Sequence, residues 1–327
     1  MTARLVFAII FSLYLLFFTF HATYLGKTVY GDGIYYYAHL QSIFSDIGPI
    51  PNNKYSIGPA LFWTPAYIFS KNELSVGFAS VFYTITGLVL LFRLLLRNFS
   101  ERASLITILL VSFSTNLLFY GSIDPVNSHA LSFFTVVLFL SFLSAKQKSW
   151  FAIGVSLGLV GIVRPQDMIV GFLVRRVKWR PFLSGLVLGF LPQMFAWFWL
   201  YGNPLALPYL ANGEGFGFPH ILGVLFAPSN GLFLWTPVTL LGLIGLWNRK
   251  NFLLIFLLQL LIVGSWSTWW QGASYSGRMF VGMLPLLAFG VAGVVSKTKI
   301  PNSALLLLSV SLLSVNMLLV VFFLIRT

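Results

Sequence analysis

The sequence predicts an all-α polytopic membrane protein with about eleven transmembrane segments, and three observations carry that reading. Of 327 residues, 58% are hydrophobic and only 8% are charged, too little charged surface for a water-soluble chain of this length. Apolar runs of membrane or near-membrane length recur from end to end, separated by short polar breaks. Most Lys and Arg residues gather in alternate breaks, as basic loops do when they are retained on the cytoplasmic side.

In chain order the segments are Leu5–Leu25, Leu74–Leu96, Leu105–Tyr120, Ala130–Leu143, Trp150–Val163, Met168–Val174, Phe182–Tyr201, Leu232–Trp247, Phe252–Trp266, Met279–Val295 and Ala304–Ile325. The first is expected to be a retained span, because it lacks a small-x-small cleavage pattern and leads into further spans. The fifth and sixth are too short to cross alone as ideal helices. A hairpin turning at Arg164–Asp167, inside protein or a wet cavity, accommodates them. Gly154/Gly158 and Gly185/Gly189 form small-xxx-small patterns, which predict close helix packing. The whole chain, 1–327, reads as one transmembrane domain, with its most informative outer loop at 26–73.

With the N-terminus cytoplasmic, 14 of the 20 basic residues fall inside, among them Arg93, Arg97, Arg175, Arg176, Lys297 and Lys299. Lys27, Lys54, Lys71, Arg164, Arg278 and Arg326 fall outside. The formal charge of +13 thus reflects membrane anchoring and not nucleic-acid binding. Six acids, Asp32, Asp46, Glu73, Asp124, Asp167 and Glu214, fall outside, and only Glu101 falls inside. Carboxylates contribute little to orientation, so their collection on one face points to chemistry or binding there, or simply to the polarity that outer loops need. Cysteine is absent, which removes disulfides, thiol nucleophiles and thiolate metal sites. No P-loop, dinucleotide fingerprint or His-Glu-x-x-His motif occurs, so no nucleotide motor is encoded.

In the first outer loop, Gly31-Asp32-Gly33 precedes Ile34–Asp46. There Ile34, Tyr37, Leu40, Ile43 and Phe44 repeat at helical spacing and predict an amphipathic surface helix. Asp32 suits either an N-cap or a general base at the lipid–water boundary. Three further outer clusters flank span ends: Ser122–His129 with Asp124 and His129; Arg164–Asp167; and Trp269–Arg278 with Trp270 and Tyr275. Arg164 and Arg278 are cations on the cation-poor side. A guanidinium fork suits a phosphate, an ion pair such as Arg164 with Asp167, or, for Arg278, snorkelling to the interface. His129 and His220 are single loop histidines that suit hydrogen bonding or substrate contact. Asp32, Asp124 and Asp167 could together hold a hard divalent cation.

In this order the residues resemble the GT-C superfamily of membrane glycosyltransferases. The similarity is to dolichyl-phosphate-mannose protein mannosyltransferases and to lipid A aminoarabinose transferases. It rests on the acid loop with Tyr35-Tyr36-Tyr37 behind it, on Lys54-Tyr-Ser-Ile-Gly58-Pro59, and on the segment Gly158–Pro165 with Arg164. It continues through Phe226–Pro237 and through Tyr275-Ser-Gly277-Arg278 with Leu284-Pro285. The resemblance implies Asp32 as catalytic acid/base, Lys54, Arg164 and Arg278 as ligands of a lipid phosphate, and an all-helical fold of GT-C type. Tyr35, Tyr36, Asp124, His129, Asp167, His220, Trp270 and Tyr275 become candidate substrate contacts. Many relatives carry a second acid beside the first, whereas glycines flank Asp32 here. No soluble domain is expected after the last span.

The implied reaction moves a sugar from a polyprenyl-phosphate carrier to a glycan, lipid or protein acceptor, with inversion, on the periplasmic or extracellular face of the plasma (inner) membrane. A leaving phosphate attached to lipid gains negative charge that outer cations stabilise. It can depart with or without a divalent metal. A lipid or solute transporter and a non-catalytic GT-C-like subunit are the rival readings. The absence of a visible internal repeat argues against the former.

Overall fold

The computed structural model describes residues 2–45, 47–297 and 302–326, so Asp46 and Lys299 lie outside the described residues. The regular structure there is helical, with one isolated antiparallel bridge between Phe216 and Trp266. The helices are α1 (Ala3–Leu25), α2 (Gly33–Phe44), α3 (Gly58–Ser70), α4 (Glu73–Leu95), α5 (Glu101–Phe113), α6 (His129–Leu143), α7 (Trp150–Val163) and α8 (Trp179–Tyr201). They continue as α9 (Pro208–Ala211), α10 (Ile221–Phe226), α11 (Leu232–Trp235), α12 (Val238–Gly245), α13 (Lys250–Ser265), α14 (Leu284–Lys297) and α15 (Asn302–Arg326).

Among the described residues, five stretches are long and apolar enough to cross a membrane: α1, α4, α8, Arg278–Lys297 and Leu307–Arg326. The other expected segments are shorter. α6, α7, Val238–Asn248 and α13 remain apolar helices of 10–17 residues. The third expected segment is interrupted. α5 ends at Phe113, and a π-helical turn, Phe119–Ile123, follows a polar Ser-Thr-Asn stretch. The sixth is not an α-helix. Pro165–Leu173 forms a 3-10 turn of 9 residues, which at about 2 Å per residue falls well short of a bilayer's ~30 Å. α7 is therefore followed by 3-10 structure and not by a second α-helical arm.

The outer loop 26–73 holds two helices instead of one. α2 forms close to where it is expected, but its buried side carries Gly33, Tyr36, Ala38, His39 and Leu40, while Ile34 and Ile43 stay exposed. α3 follows, with Pro59 in its first turn and Pro65 inside it. Two prolines in 13 residues hid this helix from periodicity, yet a first-turn proline costs a helix little.

The chain forms two compact units. One comprises residues 14–87 and 120–215. Its core joins Tyr36 and Leu40 of α2, Ala60, Trp63 and Tyr67 of α3, and Ile162 and Val163 of α7. Trp63 is fully buried and donates its Nε1–H to Ser80 Oγ at 2.7 Å, which satisfies the one polar atom of a large apolar ring. α7 and α8 pack along their glycines. A Cβ on Gly154 would lie 2.0 Å from the Phe182 carbonyl oxygen, and one on Gly185 would lie 2.1 Å from that of Phe151.

The other unit comprises residues 1–13, 88–119 and 216–327. There Ala103 and Leu110 of α5, Val238 of α12, and Val291 and Val295 of α14 form one apolar cluster. Its polar interior centres on Asn316 of α15. That amide donates to the carbonyls of Phe113 at 2.9 Å and Thr115 at 3.2 Å, and accepts from Tyr275 Oη at 2.8 Å.

The α7–α8 contact can be tested directly. Gly154→Val should destabilise the folded protein by about 1–3 kcal/mol, since the clash is with backbone that cannot rotate away. Thermal unfolding in detergent would read this as a lowered midpoint, whereas an exposed-face change such as Phe195→Leu should leave the midpoint nearly unchanged.

Candidate active site

Asp32 occupies a turn built for close approach. Gly31 adopts φ +54, and Gly33 N–H bonds to Tyr30 O at 3.0 Å. A Cβ on Gly33 would lie 2.3 Å from the Val126 carbonyl oxygen, so only glycine lets this turn pack on the segment that carries Asp124, Asn127 and His129. Asp32 stands at the N-cap position of α2, but its side chain makes no capping bond. Its carboxylate instead accepts from Tyr55 Oη at 2.8 Å.

Tyr55 is held from several sides. Its N–H donates to Asn53 Oδ1 at 3.1 Å, and Asn53 Nδ2 donates to Tyr35 O at 2.8 Å. His39 Nε2 lies 3.0 Å from Tyr55 O, and burial lowers the pKa of that imidazole. The Tyr55 ring stacks on Tyr35 at 4.9 Å and meets the edge of Tyr36 at 5.0 Å. Buried Tyr36 carries the connection onward, its hydroxyl donating to Ser128 Oγ at 2.9 Å.

Ser128 also accepts from Arg164 Nη1 at 3.0 Å. Arg164 follows α7 in extended conformation, φ −148 and ψ 103. A second close approach fixes this position: a Cβ on Gly58, the first residue of α3, would lie 2.3 Å from Ile162 O. The guanidinium is buried and well partnered. Nη1 lies 2.8 Å from His129 Nδ1. Because arginine only donates, that nitrogen is bare and the ring proton sits on Nε2. With its amide oxygen turned to the guanidinium, Gln166 accepts from Nε at 3.0 Å and from Nη2 at 2.6 Å. Asp167 Oδ2 lies 4.0 Å from Nε and also accepts from Ser132 Oγ.

Lys54 is the other candidate phosphate ligand in this unit. It is ion-paired with Glu214, and its ammonium lies 5.8 Å from the centre of the Tyr55 ring and 5.4 Å from that of Tyr209. The two ion pairs differ in burial: side-chain exposures are 31% and 13% for Lys54 and Glu214, against 8% and 1% for Arg164 and Asp167. Removing one partner of a buried pair typically costs about 3–5 kcal/mol, whereas partly solvated pairs contribute about 0–1 kcal/mol. Tyr209 meets Tyr55 edge-on at 6.4 Å. Burial, reinforced by Tyr36, Tyr55 and Glu214 and opposed by Arg164, raises its hydroxyl well above the usual tyrosine value, so it stays a donor. Tyr30 is raised likewise, by burial first and then by Asp124, which it approaches.

Asp32, Tyr35, Tyr36, Lys54, His129, Arg164 and Asp167 are thus joined by contacts within one unit, and Asp124 lies beside Tyr30. The carboxylates do not gather as a cation site: among the described residues, no three His, Cys, Asp or Glu side chains form a metal-binding group. The trio Asp32, Asp124 and Asp167 is therefore not assembled, because Tyr55, Tyr30 and Ser132 with Arg164 engage them separately. Lys54, expected as a phosphate ligand, already has a carboxylate partner.

His220, Trp270, Tyr275 and Arg278 belong to the other unit. His220 stacks on Trp269 at 4.5 Å, and Trp270 is half exposed. Tyr275 is fully buried with its hydroxyl on Asn316, the setting of a packing residue. Asn230 pins the 270–274 turn through Trp270 O at 2.7 Å, Gly272 O at 3.2 Å and Ser274 Oγ at 3.1 Å. Arg278 follows, its Nη2 3.6 Å from where a Cβ on Gly272 would stand.

Sequence reasoning missed Tyr55, Asn53, Ser128 and Tyr209 as site residues. Tyr55 and Ser128 do lie inside the Lys54–Pro59 and Ser122–His129 motifs, and that proximity was the available signal.

Residues 57–199 match the family model described as dolichyl-phosphate-mannose-protein mannosyltransferase. Over this segment, somewhat less than half of the chain, it is similar to a family of the GT-C superfamily. The matched family is one of membrane glycosyltransferases of GT-C type. The segment contains Ser128, His129, Arg164 and Asp167, and begins two residues after Tyr55; Asp32 and Lys54 precede it. No curated protein and no solved structure matches the chain.

Ser128 is the acceptor shared by Tyr36 and Arg164. Ser128→Ala should leave the buried Tyr36 hydroxyl and one Arg164 N–H short of a partner and cost about 1–3 kcal/mol, seen as a lowered unfolding midpoint. Ser132→Ala should cost less, because Asp167 keeps Arg164.

Proposed function

We propose that the protein transfers a sugar from a polyprenyl-phosphate carrier to an acceptor hydroxyl on the non-cytoplasmic face of the membrane, with inversion at the anomeric carbon. The observation that carries this reading is the partly buried Asp32, its carboxylate held by Tyr55 and connected through Tyr36 and Ser128 to the Arg164 guanidinium. An anionic base and a cation, the cation within the family-matched segment and the base ahead of it, are the two charges such a displacement needs. The surplus of basic residues in the opposite loops supports the orientation, with the N-terminus cytoplasmic. The chain would act as one GT-C-like domain.

In the reaction the acceptor oxygen attacks the anomeric carbon while the bond from that carbon to the phosphate oxygen breaks. The electron pair leaves on the phosphate, and Asp32 takes the acceptor proton. The donor is a phosphodiester with one negative charge and the product a phosphomonoester with nearly two, so charge grows as the bond breaks. In this reading the field of Arg164 favours that growth while the guanidinium keeps its buried partners, and the Tyr209 hydroxyl donates alongside it. A lipid-borne donor also explains how a chain with no nucleotide-binding motif could transfer sugar outside the cytoplasm. The stacked rings of Tyr35 and Tyr55 form an apolar face beside the base on which a sugar ring can lie.

The test follows release of polyprenyl phosphate from a panel of polyprenyl-phosphate sugars by mass spectrometry. Asp32→Asn should lower turnover by about 10²–10⁴-fold, the usual contribution of a positioned base, with the unfolding midpoint unchanged. Full turnover by Asp32→Asn would overturn the assignment. Donor binding without consumption by the wild type would favour a non-catalytic subunit, and absence of binding would favour a transporter.

A further inference from the structure

The two cations of the site are held in different ways. Arg164 is buried among Ser128, His129, Gln166 and Asp167, which sit on or next to packed helices. Lys54 is partly open to solvent, and its carboxylate partner comes from the 202–215 connection between helices. That connection bends at Gly202 and Gly213, both with positive φ, +69 and +79. A partly solvated pair exchanges its partner far more readily than a buried one. The same connection lays Tyr209 against Tyr55, whose hydroxyl holds Asp32, and places the Tyr209 hydroxyl within the field of Arg164. One segment therefore sets a carboxylate on the available cation and a ring against the tyrosine that positions the base.

We propose that Glu214 is a placeholder for the carrier phosphate: it occupies Lys54 in the unliganded protein and yields the ammonium when the donor binds, releasing segment 202–215 from the site. This rests on the donor reading given above. The exchange has a direction through the reaction. The donor phosphate bears one negative charge, and cleavage of its bond to the sugar leaves nearly two on it. Lys54 is therefore held most strongly from Glu214 as the leaving group forms. Return of Glu214 then competes with the bound product and promotes its release. The proton balance is that of the transfer itself, with Asp32 taking the acceptor proton, so the exchange needs no further reactant.

The experiment measures binding of a sugar-free C55 polyprenyl phosphate to the full chain in detergent by calorimetry. Glu214→Gln, which keeps shape and removes charge, should lower Kd by about 3- to 10-fold. Lys54→Met should raise it by about tenfold or more, and the double variant should bind no better than Lys54→Met alone. In the wild type, hydrogen exchange of residues 202–215 should increase when the probe is added. Unchanged or weaker binding by Glu214→Gln overturns the proposal, as does Lys54→Met binding like the wild type. Should the Gln variant fail to fold, Glu214→Asp, whose shorter reach weakens the pair, must also bind more tightly, or the proposal fails. A wild type that does not bind the probe overturns the donor reading and this one with it. That result is distinct from a wild type that binds while Glu214→Gln gains nothing.

Discussion

Burial of the Arg164 guanidinium is the constraint around which the unit of residues 14–87 and 120–215 is arranged. A charge taken out of water must be compensated on every side, and the compensation recruits elements that are distant in sequence. Ser128 and His129 come from the start of α6, Gln166 and Asp167 from the 3-10 turn, and Ser132 stands behind Asp167. Ser128 in turn fixes Tyr36, whose ring fixes the side of Tyr55. The orientation of Asp32 is thus a consequence of where Arg164 lies, transmitted through two tyrosines.

Such a network needs its backbones closer together than most side chains permit. Gly33 seats the acid turn on Val126, and Gly58 seats α3 on the end of α7. Each removes a side chain where a carbonyl stands 2.3 Å from the would-be Cβ, and each lies one residue from a motif that the sequence displays plainly, Asp32 in one case and Pro59 in the other. The glycines that flank Asp32, which at first sight distinguish this chain from relatives with paired acids, have a local reason: a second acid at position 33 would strike the Val126 carbonyl.

The other unit solves a related problem without charge. α15 is among the most apolar helices, yet Asn316 is fully buried and ties Tyr275 to the interrupted end of α5. Unpaired carbonyls in an apolar interior are costly, and a carboxamide can serve several at once. The break between Phe113 and the π-turn is tolerated because these carbonyls have partners.

The sequence by itself determined the solvent of this protein and the kinds of charge it carries. Composition and apolar runs made it a helical membrane chain, and the rarity of charge made each outer Asp and Arg conspicuous. Asp32 and Arg164 were legible for that reason, and so was the resemblance that the match over 57–199 supports. Run length alone, however, did not show where regular α-helix gives way: a 3-10 turn follows Arg164-Pro165 and a π-turn follows Ser114-Thr115-Asn116. Tertiary structure decided which polar groups meet. Asp32 finds Tyr55 across 23 residues, Arg164 finds Ser128 across 36 and Tyr36 finds Ser128 across 92, separations that no local pattern encodes. It also decided which cation is buried and which is partly solvated, because burial depends on packing around the residue and not on its type. Lys54 and Arg164 look alike in sequence as outer cations; only the packing gives one a buried cage and the other a solvated partner on a bending segment.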